Sequence, residues 1–245
     1  MKLQRGVFLV VFCLLFCCAF SQKKKVAVVT FYANKMVGIE ELGIGSEELL
    51  KNVLDLRNNP NFNLAPILEQ YHSKFFNEYA KSFPFDLLPE SAVVDSEKYQ
   101  KFEARFEKNK YDANNYLNYG KYRNIYEGFL GKTNEEGMAK LFANEADGVL
   151  FVSIDFGFEK GFGIGKTMSI KMRAFTRIVL YNKKGEKVWA INESERSKKT
   201  GVMVGGIPVI NPEKILPMCE SSLTELMGDL QKRIDKIVSK SNAKL

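Results

Sequence analysis

Residues 146–192 read ADGVLFVSIDFGFEKGFGIGKTMSIKMRAFTRIVLYNKKGEKVWAIN, and they decide the fold. Within them Met168, Ile170, Met172, Ala174, Thr176, Ile178 and Leu180 alternate with Ser169, Lys171, Arg173, Phe175, Arg177, Val179 and Tyr181. Successive side chains of a pleated strand leave opposite faces, so a period of two predicts one long strand with an oily face and a basic, aromatic face. Residues 148–156 predict a strand ahead of it, and the glycine-rich residues between the two predict a turn. Residues 182–185 predict a tight turn, with a third strand from Glu186. The outcome is an antiparallel three-strand meander at the centre of a single domain.

Working upstream, residues 26–31 form an unbroken run of strand formers, as expected for a central strand covered on both faces. Ser46 is placed to cap a helix carrying Leu49, Leu50, Val53, Leu54 and Leu56, which Pro60 stops. Asn63 is placed to cap a second helix, whose Leu64, Leu68, Tyr71, Phe75 and Tyr79 fall on one face, with Pro66 in its first turn. Pro84 and Pro89 bracket a short edge strand. Asp95 and Ser96 predict a cap for a helix running to about Lys108. Thr133 and Glu136 have the spacing of a capping box for a helix with Met138, Leu141 and Phe142.

Downstream, residues 201–210 are glycine-rich and predict a loop or irregular strand. Pro217 would interrupt a helix begun at Pro212, so the terminal helix is expected to start at Pro217 and to bury Cys219, Leu223, Leu226, Leu230, Ile234 and Ile237. The fold expected is α/β: a three-layer single domain with a mixed sheet of four or five strands, the C-terminal meander and a terminal helix.

The N-terminus has Lys2 and Arg5, an apolar run over residues 7–20, and small residues at Ala19 and Ser21. That is the layout of a secretory signal peptide over residues 1–21, leaving one domain over 22–245. The run is shorter than the roughly 20 residues that a spanning helix needs. Lipidation at Cys17 or Cys18 is the alternative, although Phe16 and Cys17 stand where such a signal places a small residue. It would tether the protein to a membrane surface. Removing Lys2 and Arg5 from 36 basic residues leaves 34 against 29 acidic ones, a net of +5. With export, this modest bias argues against a nucleic-acid partner. Cys219 is then the single cysteine, and an intrachain disulfide cannot form.

Catalytic signals are sparse. Gly163, Gly165, Lys166 and Thr167 echo a phosphate loop, but a strand follows them where that motif needs a helix. His72, the only histidine, sits beside Tyr71 on an amphipathic helix, and Cys219 lies on an apolar stripe, so both are expected to be structural. One histidine and one cysteine make no usual zinc site, and no acidic calcium loop is present, so no metal and no cofactor are expected. Asp155 with Glu159 stands open as a carboxylate pair for glycoside hydrolysis.

Five of the ten tyrosines fall within residues 109–132, interleaved with cations. A flat ring with a polar tip suits contact with a protein or a sugar. Tyr111, Tyr116, Tyr119, Tyr122, Arg123 and Tyr126 are therefore the expected partner-binding residues, beside the reading that they merely cover the sheet. Lys171, Arg173, Phe175, Arg177 and Tyr181 form a second candidate surface.

Residues 25–29 (KVAVV), 145–152 (EADGVLFV), the 183–186 turn (KKGE) and Val188-Trp189 resemble the periplasmic α/β fold of CsgG-type curli-secretion lipoproteins and of the lipoprotein activators of penicillin-binding proteins. The likeness covers the first strand and residues 133–237. It implies a non-enzymatic envelope accessory protein acting through its surfaces, sometimes as a homo-oligomer, and supplies no catalytic residues. The function expected is an exported, periplasmic or secreted accessory protein that binds an envelope protein or glycan. An outer-membrane anchor, a hydrolase with paired carboxylates and an oligomeric pore component are the alternatives; the last needs residues 157–167 or 201–210 to form membrane hairpins, and both are short against the roughly 9–11 alternating residues of a barrel strand.

Overall fold

The first strand, β1 (Lys25–Asn34), is where the two halves of the chain meet. Its residues 26–31 are buried on both faces, as an apolar run without alternation requires. Along one edge it pairs in parallel with β4 (Gly148–Ile164), Val26 opposite Gly148 and Ala33 opposite Ile154. The other edge is shared by β2 (Asp86–Leu87), parallel, and β3 (Tyr116–Asn118), antiparallel. From β4 the sheet continues antiparallel through β5 (Thr167–Asn182), β6 (Lys187–Val204) and the short β7 (Ile207–Pro208). The order is β2-β1-β4-β5-β6-β7, with β3 beside β1.

This computed structural model describes residues 23–42, 47–105, 114–128, 132–164, 167–205, 207–209 and 211–238. The expected signal segment, Ser46, Tyr111, Gly165 and Lys166 lie outside the described residues, as do the side chains of Leu49, Leu50 and Ile237.

Helices α1 (Glu47–Asn58) and α2 (Ala65–Asn77) follow β1, and α3 (Glu90–Val94) and α4 (Glu97–Gln100) follow β2. Helix α5 (Thr133–Leu141) leads into β4, and α6 (Pro212–Val238) closes the chain. On one face of the sheet α2 meets Thr176 of β5 through the Tyr71 hydroxyl, and the Tyr79 hydroxyl donates to the Met227 carbonyl of α6 at 2.8 Å. On the other face Thr30 donates to the Arg123 carbonyl at 2.7 Å, and Gly185 after β5 rests on Glu136 of α5. The three-layer α/β domain with a mixed sheet is therefore what the chain forms, with seven strands among the described residues where four or five are expected from sequence, because the short β2, β3 and β7 add to the edges. Phe31 is fully buried at the centre, its ring 5.6 Å from those of Tyr71 and Phe75 and 6.2 Å from that of Tyr122.

Several boundaries differ from the sequence reading, each for a local reason. The glycines over 157–164 do not end β4; it runs on for 17 residues. A Cβ on Gly161 would strike Ser169 and one on Gly163 would strike Met168, so glycine here permits close approach of two strands and does not mark a turn. Residues 201–204 likewise continue β6, and the chain turns at Gly205, whose φ of 63° suits glycine, into β7.

The helix expected from Ser96 to Lys108 ends at Gln100. Arg123 reaches across to the carbonyls of Tyr99, Gln100 and Phe102, the last at 2.6 Å, and takes acceptors that a continuing helix would need. Thr133 is the first residue of α5 and does not cap it, because Asn134 and Glu135 are committed to Arg105, Tyr126 and Gly128. Asn63 Oδ1 does accept the Ala65 N–H at 3.0 Å, one residue ahead of the helix boundary at Leu64. Helix α6 starts at Pro212 and carries Pro217 inside it. Asn211 Oδ1 accepts the Lys214 N–H at 3.0 Å and caps the earlier start, while the bond that Pro217 forfeits falls in the second turn, at exposed Glu213.

Phe31→Ala would empty the centre of the aromatic cluster, and the expected loss is about 3–5 kcal/mol in urea unfolding. A loss below about 1 kcal/mol would show that the cluster collapses onto the space or does not stabilise the sheet.

Candidate interaction surface

Strand β3 carries the first of the described tyrosines and pins it to β1, Tyr116 opposite Asn34. The Tyr116 ring stands edge-on between those of Tyr32 (5.1 Å) and Tyr126 (5.5 Å), and the Tyr126 hydroxyl donates to the Tyr116 hydroxyl at 2.9 Å. Tyr119 stacks on His72 with centroids 3.7 Å apart. All three rings are half-buried, with one side on the domain and the other reaching solvent. Tyr122 is buried under Phe31, and burial pushes its phenol far above the usual range. Arg123 holds three carbonyls of residues 99–102. Of the residues expected from sequence, Tyr116 and Tyr126, on the Tyr32 side, and Tyr119, on the α2 side against His72, thus flank the β3 edge of the sheet as a rim, while Tyr122 and Arg123 build the scaffold beneath it.

The groups that a nucleophilic mechanism would use are engaged. His72 Nε2 lies 2.8 Å from Glu90 Oε1, its ring packed between Tyr119 and Phe76. Cys219 is buried on α6, and burial pushes its thiol well above the usual range. Among the described residues no hydrogen bond joins Cys219 to His72, and no three His, Cys, Asp or Glu side chains gather as a metal site. Asp155 and Glu159 are four residues apart on β4, about 13 Å along a strand, which exceeds the roughly 5–9.5 Å of paired glycosidase carboxylates. Glu159 is nearly fully buried and forms ion pairs with Arg173, at 3.3 Å, and with Arg196.

The basic face of β5 is neutralised in the same way. Arg173 also meets Glu41 at 2.8 Å, and Arg177 meets Glu127 at 2.6 Å, where the Tyr181 hydroxyl donates to the same carboxylate. A cleft of about 330 Å³ opens beside these residues at the carboxyl end of β1, between Asn34, Val37, Glu40, Asp155, Arg173 and Phe175. Asn34 Nδ2 donates to Asp155 Oδ1 at 3.0 Å. Burial raises the Asp155 carboxyl above its ordinary range, against a smaller lowering by that hydrogen bond.

At the far end of the β4–β5–β6 ribbon the sequence reading has a turn and a loop or irregular strand, with membrane hairpins over residues 157–167 or 201–210 only on the pore alternative; the structure has continuous strand. Phe162 (87% exposed), Ile164 (84%), Val202 (51%), Val204 (57%) and Val209 (39%) are the exposed large apolar side chains among the described residues. The signal was present in the i, i+2 spacing of Phe162 with Ile164 and of Val202 with Val204, but Gly161, Gly163 and Gly201 around them read as a turn and a loop.

No protein-family model matches the chain, and no curated protein matches it. Among solved structures it is similar to the hypothetical protein CT253 from Chlamydia trachomatis, at 10% identity over 89% of this chain and 99% of that one, with a TM-score of 0.39. It is also similar to lipoprotein GNA1162 from Neisseria meningitidis, at 12% identity over 87% and 99%, with a TM-score of 0.35.

Asp155 supplies a pH test of the cleft. Its folded pKa lies above its unfolded one, so the native state binds the extra proton, and stability falls as pH rises from the ordinary carboxylate range through the folded value. Asp155→Asn keeps the acceptor for Asn34 and removes the titration. Its urea midpoint is expected to match the parent at about pH 3 and to exceed it at about pH 8. Equal midpoints at both would contradict the burial cost assigned to this carboxylate.

Proposed function

We propose that the chain is an exported, non-enzymatic accessory protein of the bacterial envelope, periplasmic or secreted, that binds a protein or glycan through the tyrosine rim. The observation that carries this reading is the placement of Tyr116, Tyr119 and Tyr126. Each is anchored by a ring contact or hydrogen bond on one side and reaches solvent on the other. Rings held in this way lose little entropy when a partner stacks on them, which suits a rigid contact surface. Support also comes from the engagement of His72, Cys219 and Glu159 in packing and ion pairs. No helix among the described residues is long and apolar enough to cross a membrane.

A second reading rests on the cleft, which Glu40 and Asp155 both line. If these are the paired acids of a hydrolase, Asp155→Asn abolishes turnover, whereas on the contact reading it changes only the pH dependence of stability.

The test is co-purification from the native envelope with a Tyr116→Ala, Tyr119→Ala, Tyr126→Ala triple variant. Tyr122 is left intact because it is buried. The variant is expected to lose the partner that the parent enriches while unfolding at a similar urea concentration. Retention of every partner overturns the reading.

A further inference from the structure

The five exposed large apolar side chains among the described residues lie at one end of the β4–β5–β6–β7 ribbon, Val209 just after β7. The register gathers four of them. Ile164 faces Thr167, Ser169 faces Val202, and Val204 faces Ile207, so Ile164, Val202 and Val204 share the face turned away from α6. Val209 joins them through its N–H, which donates to the Val202 carbonyl at 3.0 Å. Phe162 stands beside Ile164 at the bulge between Lys160 and Gly163. The opposite face of the same ribbon is packed: Ile170, Met203 and Met218 are buried there. The end is therefore a paired ribbon with one greasy side.

Cations stand one step behind it. On the same face Lys171 lies opposite Thr200 and follows Ser169 by two residues, and Arg196 comes next, opposite Arg173. From Thr167 at the tip to Lys171 is four residues, about 13 Å. Lys199 and Lys214 are exposed nearby. Of the acids of this region, Glu159 is buried between Arg173 and Arg196, Glu41 pairs with Arg173, and Glu213 is exposed beside Lys214. Apolar side chains outermost and cations about a headgroup's depth behind them match a surface that dips about 5–10 Å into an anionic bilayer.

We propose that the ribbon tip is a shallow membrane anchor that inserts Phe162, Ile164, Val202 and Val204 into the interface of an anionic bilayer. Two physical arguments select the bilayer over other occupants. The greasy face is narrow, about 14 Å across the four strands β4 to β7 at the usual strand spacing, while a stable protein contact takes roughly 800 Å² from each partner. A fluid bilayer closes around so narrow an end, and a rigid protein surface does not. A second copy would bring Lys171 and Arg196 against themselves, a like-charge contact that an anionic headgroup layer turns into attraction. The stretch of ribbon involved is shorter than the roughly 9–11 residues per strand that spanning requires, so the contact is interfacial. The proposal stands independently of the tyrosine rim.

The test uses the full chain and vesicles of phosphatidylcholine with or without 30% phosphatidylglycerol, taking about 30% as a physiological anionic load. Phe162→Trp adds a reporter at the tip, with lipids brominated on the acyl chain as quenchers. Quenching of this tryptophan on anionic vesicles, weakened by salt and weak on neutral vesicles, is expected. Phe162→Asp with Ile164→Asp should lower vesicle partitioning at least tenfold, and Lys171→Glu should lower it on anionic vesicles alone. These positions are exposed or half-exposed, and an unchanged urea midpoint confirms that each variant is folded. The N-terminal segment is common to all variants, so the differences read the tip. Partitioning unaffected by the double aspartate variant overturns the proposal. So does loss of a co-purifying protein from that variant with vesicle binding unchanged, which would make the tip a protein-docking site.

Discussion

The parallel pairing of β1 with β4 constrains the rest of the chain. Two parallel strands cannot be closed by a hairpin, so everything between Asn34 and Gly148 must travel back to the start of the sheet. It does so by covering both faces. Helix α2 lies on the side of Phe31 and Thr176, and Arg123, Glu127 and α5 lie on the side of Thr30 and Arg177. Because β1 is thereby sealed, polar groups along it are satisfied inwardly. The Tyr99 hydroxyl donates to the Val29 carbonyl at 2.9 Å, and Thr30 finds the Arg123 carbonyl.

That return path explains why the tyrosine-rich segment is double-natured. Among its described residues the chain pairs with β1 through β3 and is otherwise held by side chains. Arg123 takes the carbonyls of residues 99–102, Asn134 takes those of Arg105 and Tyr126, and Glu127 anchors Arg177, Tyr181 and Lys187. A rigid rim of half-exposed rings follows, since the scaffold beneath them is fixed at several points. The same commitments leave most charged groups of the β5 face paired.

Sequence made the centre legible because alternation reports burial directly: every even residue from Ile170 to Leu180 is buried beneath the helices. The amphipathic helices α2 and α6 were legible for the same reason. What escaped was governed by contacts distant in sequence. Arg123 cuts α4 short from more than twenty residues away, Asn211 overrides the break expected at Pro217, and Gly161, Gly163 and Gly201 lie inside strands because a facing side chain needs the space of their missing Cβ. The exposed tip was lost with those glycines. The buried state of Tyr122, and the cleft shared by Asn34, Glu40 and Asp155, depend on which elements meet, which spacing along one strand does not encode.

The ribbon has a mechanical consequence. Lys25 enters the sheet at the start of β1, and β4, running parallel to it, carries the tip away over sixteen further residues, a separation of about 50 Å. A load applied between these two poles acts along the strand axes. It strains the β1–β4 ladder in shear, with its hydrogen bonds sharing the force together, and does not peel them apart one by one. A domain wired in this direction transmits tension between two attachment points as a stiff strut, and its weakest plane lies across the strands, where no pull from those poles is directed.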